Sequence, residues 1–404
     1  MSQSLNSKII LGAGCVALFF PGAFVFGFPG VMAGQWQAFF HVNKAQIGKI
    51  MFYILAGTGC SMYIAGRLME KFTPRLIILT GNLACSSALF FVAQASSMDL
   101  VYLWAFIEGF FCSFVYIPCL SIFQKIFPDS RGFVIGILNL IFGGAAAVMS
   151  PVFAYVLLSR GYETSCYTWA FVSILAGFAA FFFIKIPNVE TTDCGPEASA
   201  PPLSLINTLK MSSFWFLWVV WALAGASGIS LIVLASSFGR HLGCGIGEYI
   251  YILTAFNVLN GIGRIICGKL ADKYRKQKIM ACIFSMAGTA YLLMPYSGSI
   301  YFVSFLACFV GLAFGGLFTV SAPLVTDVFG LENFGRIFGL VFTAYGFLAG
   351  FLGPWMSGMI LDATGSDYRI VFTIFAVFYF VSSILIMRIS RPEKIWRKIN
   401  EASC

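Results

Sequence analysis

The chain has 404 residues, of which 59% are hydrophobic and only 10% charged, with a mean hydropathy of +0.89. A water-soluble body of this size carries about 25% charged residues on average. The shortfall excludes an ordinary cytosolic enzyme, a disordered chain and a secreted disulfide scaffold, and leaves a polytopic membrane protein. The 25 Lys and Arg against 16 Asp and Glu give a net charge of +9. In a soluble domain such a surplus would suit nucleic acid; here basic loops between membrane spans account for it, and no nucleic-acid partner is expected.

A bilayer span needs about 20 mainly apolar residues. In chain order, twelve runs qualify: 9–32, 45–65, 76–95, 100–123, 133–158 and 167–186, then 214–236, 249–267, 279–296, 300–326, 337–361 and 370–387. They are continuously apolar and lack the alternation of a barrel strand, so the expected fold is all-α. Lys8 precedes the first run and no small-residue cleavage site follows it, which reads as an uncleaved first span.

An even number of spans puts both termini on one side. With the termini cytoplasmic, nineteen Lys and Arg fall in inner segments and five in outer ones. The positive-inside rule therefore predicts a multi-pass protein of the cytoplasmic membrane with both tails inside. One cation, Arg264, belongs to neither set. The 12 cysteines form no Cys-x-x-Cys pair and lie mostly in apolar runs, as at Cys85 and Cys308. They read as packing residues; a Cys166–Cys244 disulfide is conceivable, and neither metal nor cofactor is expected.

The longest loop, with Pro196, Pro201 and Pro202, divides the chain into an N-terminal six-helix bundle (1–187), a linker (188–213) and a C-terminal six-helix bundle with a short basic tail (214–404). The halves repeat. Gly66-Arg67-Leu68-Met69-Glu70-Lys71 returns as Gly268-Lys269-Leu270-Ala271-Asp272-Lys273, 202 residues later. Gly132-x-x-x-Gly136 leading to Pro151 returns as Gly335-x-x-x-Gly339 leading to Pro354, 203 residues later. Small residues at this spacing let helices approach closely. Paired six-helix units are the pattern of secondary transporters, with the substrate site near the midplane. The run from Gly263 to Gly268-Lys269 misses the phosphate-loop pattern, because Leu270 replaces the required Ser or Thr.

The Gly-x-Leu-x-(Asp/Glu)-(Lys/Arg) loops resemble the signature of the major facilitator superfamily. Two further stretches look like its oxalate/formate antiporter family, which is related to the monocarboxylate transporters. One is Phe127-Pro128-Asp129-Ser130-Arg131-Gly132. The other runs from Asp327-Val328-Phe329-Gly330 through Gly339-Leu340-Val341-Phe342-Thr343-Ala344-Tyr345-Gly346 to Gly353-Pro354 and Asp362-Ala363-Thr364-Gly365-Ser366. The resemblance implies an alternating-access carrier of small organic anions. It matches Arg264, eight residues before Asp272, to the family's helix-8 Arg, and Tyr116, eleven before Phe127, to its helix-4 Tyr. The aromatic positions fall on Phe314 and Phe318. The Lys of the oxalate carrier falls on Tyr345, a departure that disfavours recognition of two carboxylates.

Residue by residue, Arg264 gives the sharpest signal. An Arg at a helix centre costs about 2.5–3.5 kcal/mol on insertion scales, and its fork suits a carboxylate. The competing reading is that it snorkels to the inner end, roughly 7–8 Å of helix rise away at Lys269, or pairs locally. Asn260 lies one turn earlier on the same face, where the monocarboxylate carriers often have an Asp. Tyr116 and Tyr345 can offer hydroxyls to a carboxylate or simply pack. Phe314 and Phe318, four apart, line a cavity or fill a core. Glu108 is either a proton carrier whose burial tunes it or a solvated vestibule acid. Arg67, Glu70, Asp272, Lys273, Asp327 and Arg336 are expected to form an inner gate.

The expected function is secondary transport of a small monocarboxylate of the formate, acetate, lactate or pyruvate type, with a proton or a counter-anion. The alternatives are dicarboxylate–monocarboxylate exchange and a nutrient sensor on a carrier scaffold. No Ser/His/Asp set or metal cluster points to an enzyme, and no obligate protein partner is evident.

Overall fold

In lipid every backbone amide must find a partner within the chain, so long apolar runs fold as helices. A computed structural model describes residues 2–42, 44–184, 203–244, 246–365 and 367–390. Among them there are helices and turns but no strand. Most of the linker, Ser366 and the basic tail from Arg391 lie outside the described residues.

The helices are α1 (Ser2–Phe26), α2 (Phe28–Phe40), α3 (Lys44–Leu68), α4 (Pro74–Ala93), α5 (Met98–Ile126), α6 (Arg131–Arg160) and α7 (Tyr162–Phe183). After the short α8 (Leu205–Leu209) come α9 (Ser212–His241), α10 (Ile246–Lys273), α11 (Lys276–Leu293) and α12 (Ile300–Phe329). The chain ends through α13 (Phe334–Thr343), α14 (Met356–Ala363) and α15 (Tyr368–Met387). Among the described residues, eleven helical stretches are long and apolar enough to cross a membrane, the first joining α1 and α2 and another joining α13 and α14. With the 25-residue α3, they account for all twelve predicted spans. Gly161 and Gly330 have φ of 80° and 85° where α6 turns into α7 and α12 into α13, a region that side-chain-bearing residues rarely adopt.

The run predicted as one continuous helix over 337–361 is interrupted. Ala344–Ala349 and Phe351–Trp355 are π-helical turns between α13 and α14. Wider turns of this kind re-aim side chains and recur at functional sites.

The described chain divides into two compact units. The first is Met1–Pro128 with Ile137–Pro196 and Phe338–Leu340; the second is Asp129–Gly136 with Glu197–Ile337 and Val341–Cys404. The sequence repeat is visible as packing inside each unit. In the first, Gly109 of α5 lies against the Ile54 carbonyl of α3; in the second, Gly311 of α12 lies against the Phe256 carbonyl of α10. Both positions shift by 202. Likewise Gly339 meets the Met62 carbonyl in the first unit, and Gly136 meets the Arg264 carbonyl in the second. Met62 is therefore the positional counterpart of Arg264.

Candidate functional site

Arg264 lies on α10 and is buried, at 5% exposure, with twenty-eight residues of helix around it. At that burial the head group is packed among neighbouring side chains. Its Nε donates to Asn260 Oδ1 at 3.4 Å, one turn back on the same helix. Its guanidinium carbon stands 5.4 Å from the centroid of the Phe318 ring, within the range of cation–π attraction. Gly315 of α12 makes this possible. A Cβ there would fall 3.2 Å from Arg264 Cγ and 3.1 Å from Asn260 Oδ1, so the bare backbone lets α10 and α12 close on each other.

The second unit gathers the other predicted residues around this cation. Phe314 and Phe318 meet edge-on at 5.2 Å, and Tyr345 stands 5.3 Å from Phe318 and 6.4 Å from Phe314. Tyr345 is in electrostatic range of Arg264. It sits in the first π-helical turn, which widens the backbone where this ring projects. Trp221 of α9, which sequence reasoning missed, closes the ring of aromatics: it lies 5.0 Å from Phe318, 4.8 Å from Phe342 and 5.9 Å from Tyr345. The available hint was the three-residue spacing of Trp215, Trp218 and Trp221.

The first unit holds the counterpart of this cluster. Tyr116, at the position matching Phe318, donates to Asn139 Oδ1 at 2.6 Å and stands 5.0 Å from Phe142, the match of Tyr345. Asn139 matches Phe342. The same three-residue node is thus polar in one unit and aromatic in the other. Tyr116 is buried, and its hydroxyl proton goes to Asn139 in this arrangement.

Glu108, in α5 of the first unit, is fully buried. Apart from the neighbouring Cys85 thiol, no donor among the described residues reaches either carboxylate oxygen. The thiols of Cys85 and Cys112 are its titratable neighbours.

The charges expected to act together at the inner loops are distributed as follows. Arg67 pairs with Glu70 three residues on, at 3.5 Å, with both side chains nearly half exposed. Asp272 binds the start of α6, accepting from the Gly132 amide at 2.7 Å and the Phe133 amide at 2.9 Å. These are amides that the helix itself leaves without intrahelical acceptors. Lys273, beside it, is exposed. Asp327 pairs with Lys276 at 2.7 Å. Arg336 donates to the Leu203 carbonyl and to Asn333 Oδ1, which also accepts from the Leu203 amide. Together Arg336 and Asn333 tie Leu203 of the linker to the start of α13. Cys166 and Cys244 are free thiols, so the conceivable disulfide between them is absent.

The described residues contain no group of His, Cys, Asp and Glu able to hold a metal. An arrangement of one buried cation, an amide and aromatic walls can bind an anion; it offers no nucleophile with an adjacent base.

The sequence pattern of the Major Facilitator Superfamily matches residues 10–247 and 222–403. The chain is 24% identical over 343 residues to the oxalate:formate antiporter of Oxalobacter formigenes, covering 83% of this chain and 81% of that protein. It is 24% identical over 400 residues to monocarboxylate transporter 2 of Homo sapiens, covering 90% and 81%. Among solved structures it matches FucP, a transporter of the superfamily crystallised in the outward conformation. The TM-score is 0.73 at 16% identity, with 95% of this chain and 99% of that one covered. These relatives are transporters, not enzymes. The chain belongs to the Major Facilitator Superfamily and is an integral membrane transporter.

Proposed function

We propose that the protein is a secondary transporter of a small monocarboxylate of the formate, acetate, lactate or pyruvate type, working by alternating access in the cytoplasmic membrane with both termini inside. The observation that carries this reading is Arg264, buried beside Asn260 and over the Phe318 ring. The guanidinium would take the carboxylate through paired hydrogen bonds. Tyr345 and Tyr116 would orient the anion, while Phe314, Phe318 and Trp221 would wall its tail.

The repeat supports one carboxylate rather than two. The position matching Arg264 in the first half is Met62, and the position of the oxalate carrier's Lys is Tyr345. A second carboxylate would be desolvated in the site with no cation of its own. Glu108 would carry the coupled proton. The two six-helix halves, 1–187 and 214–404, would move about the linker at 188–213. The charges at Arg67, Glu70, Asp272, Lys273, Asp327 and Arg336 would hold and release the inner side.

A second reading is exchange of a dicarboxylate for a monocarboxylate, favoured by the similarity to the oxalate:formate antiporter. Uptake of labelled formate, acetate, lactate and oxalate into proteoliposomes, with and without a pH gradient, separates the two. Lactate or formate uptake that rises with an inward proton gradient supports symport. Efficient oxalate exchange with lactate ignored overturns it. Uptake that ignores the gradient but needs internal anion converts symport to exchange.

A further inference from the structure

Two glycines of α9 lie against the aromatic wall described above. A Cβ on Gly225 would meet the Tyr345 ring, 2.8 Å from Cδ2, and one on Gly228 would meet the Phe314 ring, 2.8 Å from Cγ. At Gly228 all three nearest atoms belong to that ring, so the ring is the first thing an added side chain meets. This differs from Gly311 and Gly315 of α12, whose nearest neighbours are the carbonyl oxygens of Phe256 and Asn260. There a side chain would force two helices apart. At Gly228 it would only push a ring.

The repeat isolates Gly228 further. Gly225 matches Gly22 of the first half, where a Cβ would meet the Phe142 backbone, so a glycine at that position serves close packing in both copies. Gly228 matches Val25, and Phe314 matches Cys112. The first half thus carries a medium and a small residue where the second carries none and a large one. The helix architecture tolerates a side chain at this level of the first helix of a half. The missing side chain on α9 is therefore a feature of the ring that fills its place.

We propose that Gly228, with Gly225 in support, is a specificity-determining residue: by seating the Phe314 ring against the α9 backbone, it sets how long an acyl tail fits beside Arg264. The inference rests on the monocarboxylate reading. The other ring neighbours of Phe314 are Phe256 at 5.9 Å, Phe318 at 5.2 Å and Tyr345 at 6.4 Å. A ring displaced from α9 presses on these three rings, of which Phe318 lies under the Arg264 guanidinium. The loss falls on the tail of the substrate and spares its carboxylate. Formate has no carbon tail to exclude; lactate and pyruvate do.

The test compares initial uptake of labelled formate and lactate by the full chain in proteoliposomes. Gly228→Ala is expected to lower the lactate-to-formate ratio about tenfold, the scale on which a pocket reads one methylene, with formate uptake within about twofold of the parent protein. Gly228→Ala/Phe314→Leu restores the ratio by giving the added methyl its room. Phe314→Ala in the otherwise unaltered chain adds no atom to a tight contact. It is expected to raise the ratio, and it carries the test should Gly228→Ala fail to fold. Folded variants with an unchanged ratio overturn the inference while the monocarboxylate reading stands. A parent protein that moves neither acid overturns both.

Discussion

Arg264 holds its guanidinium 5.4 Å from the centroid of the Phe318 ring, and the residues matching these two in the first half of the chain are Met62 and Tyr116. The repeated scaffold therefore presents a cation and an aromatic face in one copy, and a thioether and a hydroxyl in the other. A carrier built from two copies of one unit becomes selective only where the copies diverge. Here the divergence places a single positive charge at a position that packs in the same way in both copies, under Gly136 in one and Gly339 in the other.

Glu108 is expected to govern coupling rather than anion binding. Glu108→Gln keeps the volume and removes the titratable proton. Uptake into proteoliposomes should lose its stimulation by an acidic exterior, while exchange at equal pH continues. With Glu108 as the proton carrier, external acid would load it, so stimulation should grow as outside pH falls. Full stimulation in the glutamine variant would place the coupled proton elsewhere.

Tyr116→Phe removes the 2.6 Å hydrogen bond to Asn139. A buried bond of this kind contributes about 0.5–1.5 kcal/mol to stability, so a modest fall in the midpoint of thermal unfolding is expected. If the hydroxyl also contacts the anion, directly or through a bridging water, KM rises as well. A lower midpoint with unchanged KM would assign Tyr116 to structure alone.

Asp272 places its carboxylate at the first amides of α6, where a negative charge is favoured by about 0.3–1 kcal/mol at an exposed helix start. Asp272→Asn retains an acceptor and loses the charge; Asp272→Ala loses both. Transport rates should fall in that order, with the asparagine variant less sensitive to salt than the parent. Equal, parental rates in both variants would mean that the contact plays no part in the cycle.

Arg336 and Asn333 hold the backbone of Leu203 from both its amide and its carbonyl. Hydrogen bonds to charged groups contribute about 1.5–3 kcal/mol, so Arg336→Ala is expected to destabilise the second unit measurably in thermal unfolding. The Asp327–Lys276 pair, half exposed on its Asp side and largely covered on its Lys side, is a single contact open to water and contributes about 1 kcal/mol or less. Lys276→Ala should leave the midpoint nearly unchanged, and the reverse ranking would contradict these assignments.

Much of the fold is legible in the residues because the bilayer imposes a single rule on the backbone and a minimum length on each apolar run. The halves are legible because Gly66–Lys71 and Gly268–Lys273 repeat at a fixed shift. Within the site, Arg264 stands out as the cation no loop explains, and Phe314 and Phe318 share a face by their spacing. Other features leave little trace. The π-helical turns at Tyr345 are a change of hydrogen-bond register, hinted at only by Gly346, Gly350, Gly353 and Pro354. Trp221 is one aromatic among many in an apolar helix. Asp272 and Arg336 are bound to backbone groups, at Gly132, Phe133 and Leu203, and a backbone amide or carbonyl looks alike at every position of a sequence.

The central claim is that one buried guanidinium anchors one carboxylate. Its most direct test is initial uptake of labelled lactate and formate by Arg264→Ala and Arg264→Lys in proteoliposomes, with folding confirmed by thermal unfolding. Losing a charge-assisted pair at about 1.5–3 kcal/mol should cut apparent affinity about ten- to hundredfold in the alanine variant. Lysine keeps the charge without the fork and should fall in between. A folded Arg264→Ala protein that takes up either acid at the parent rate and KM would contradict the account.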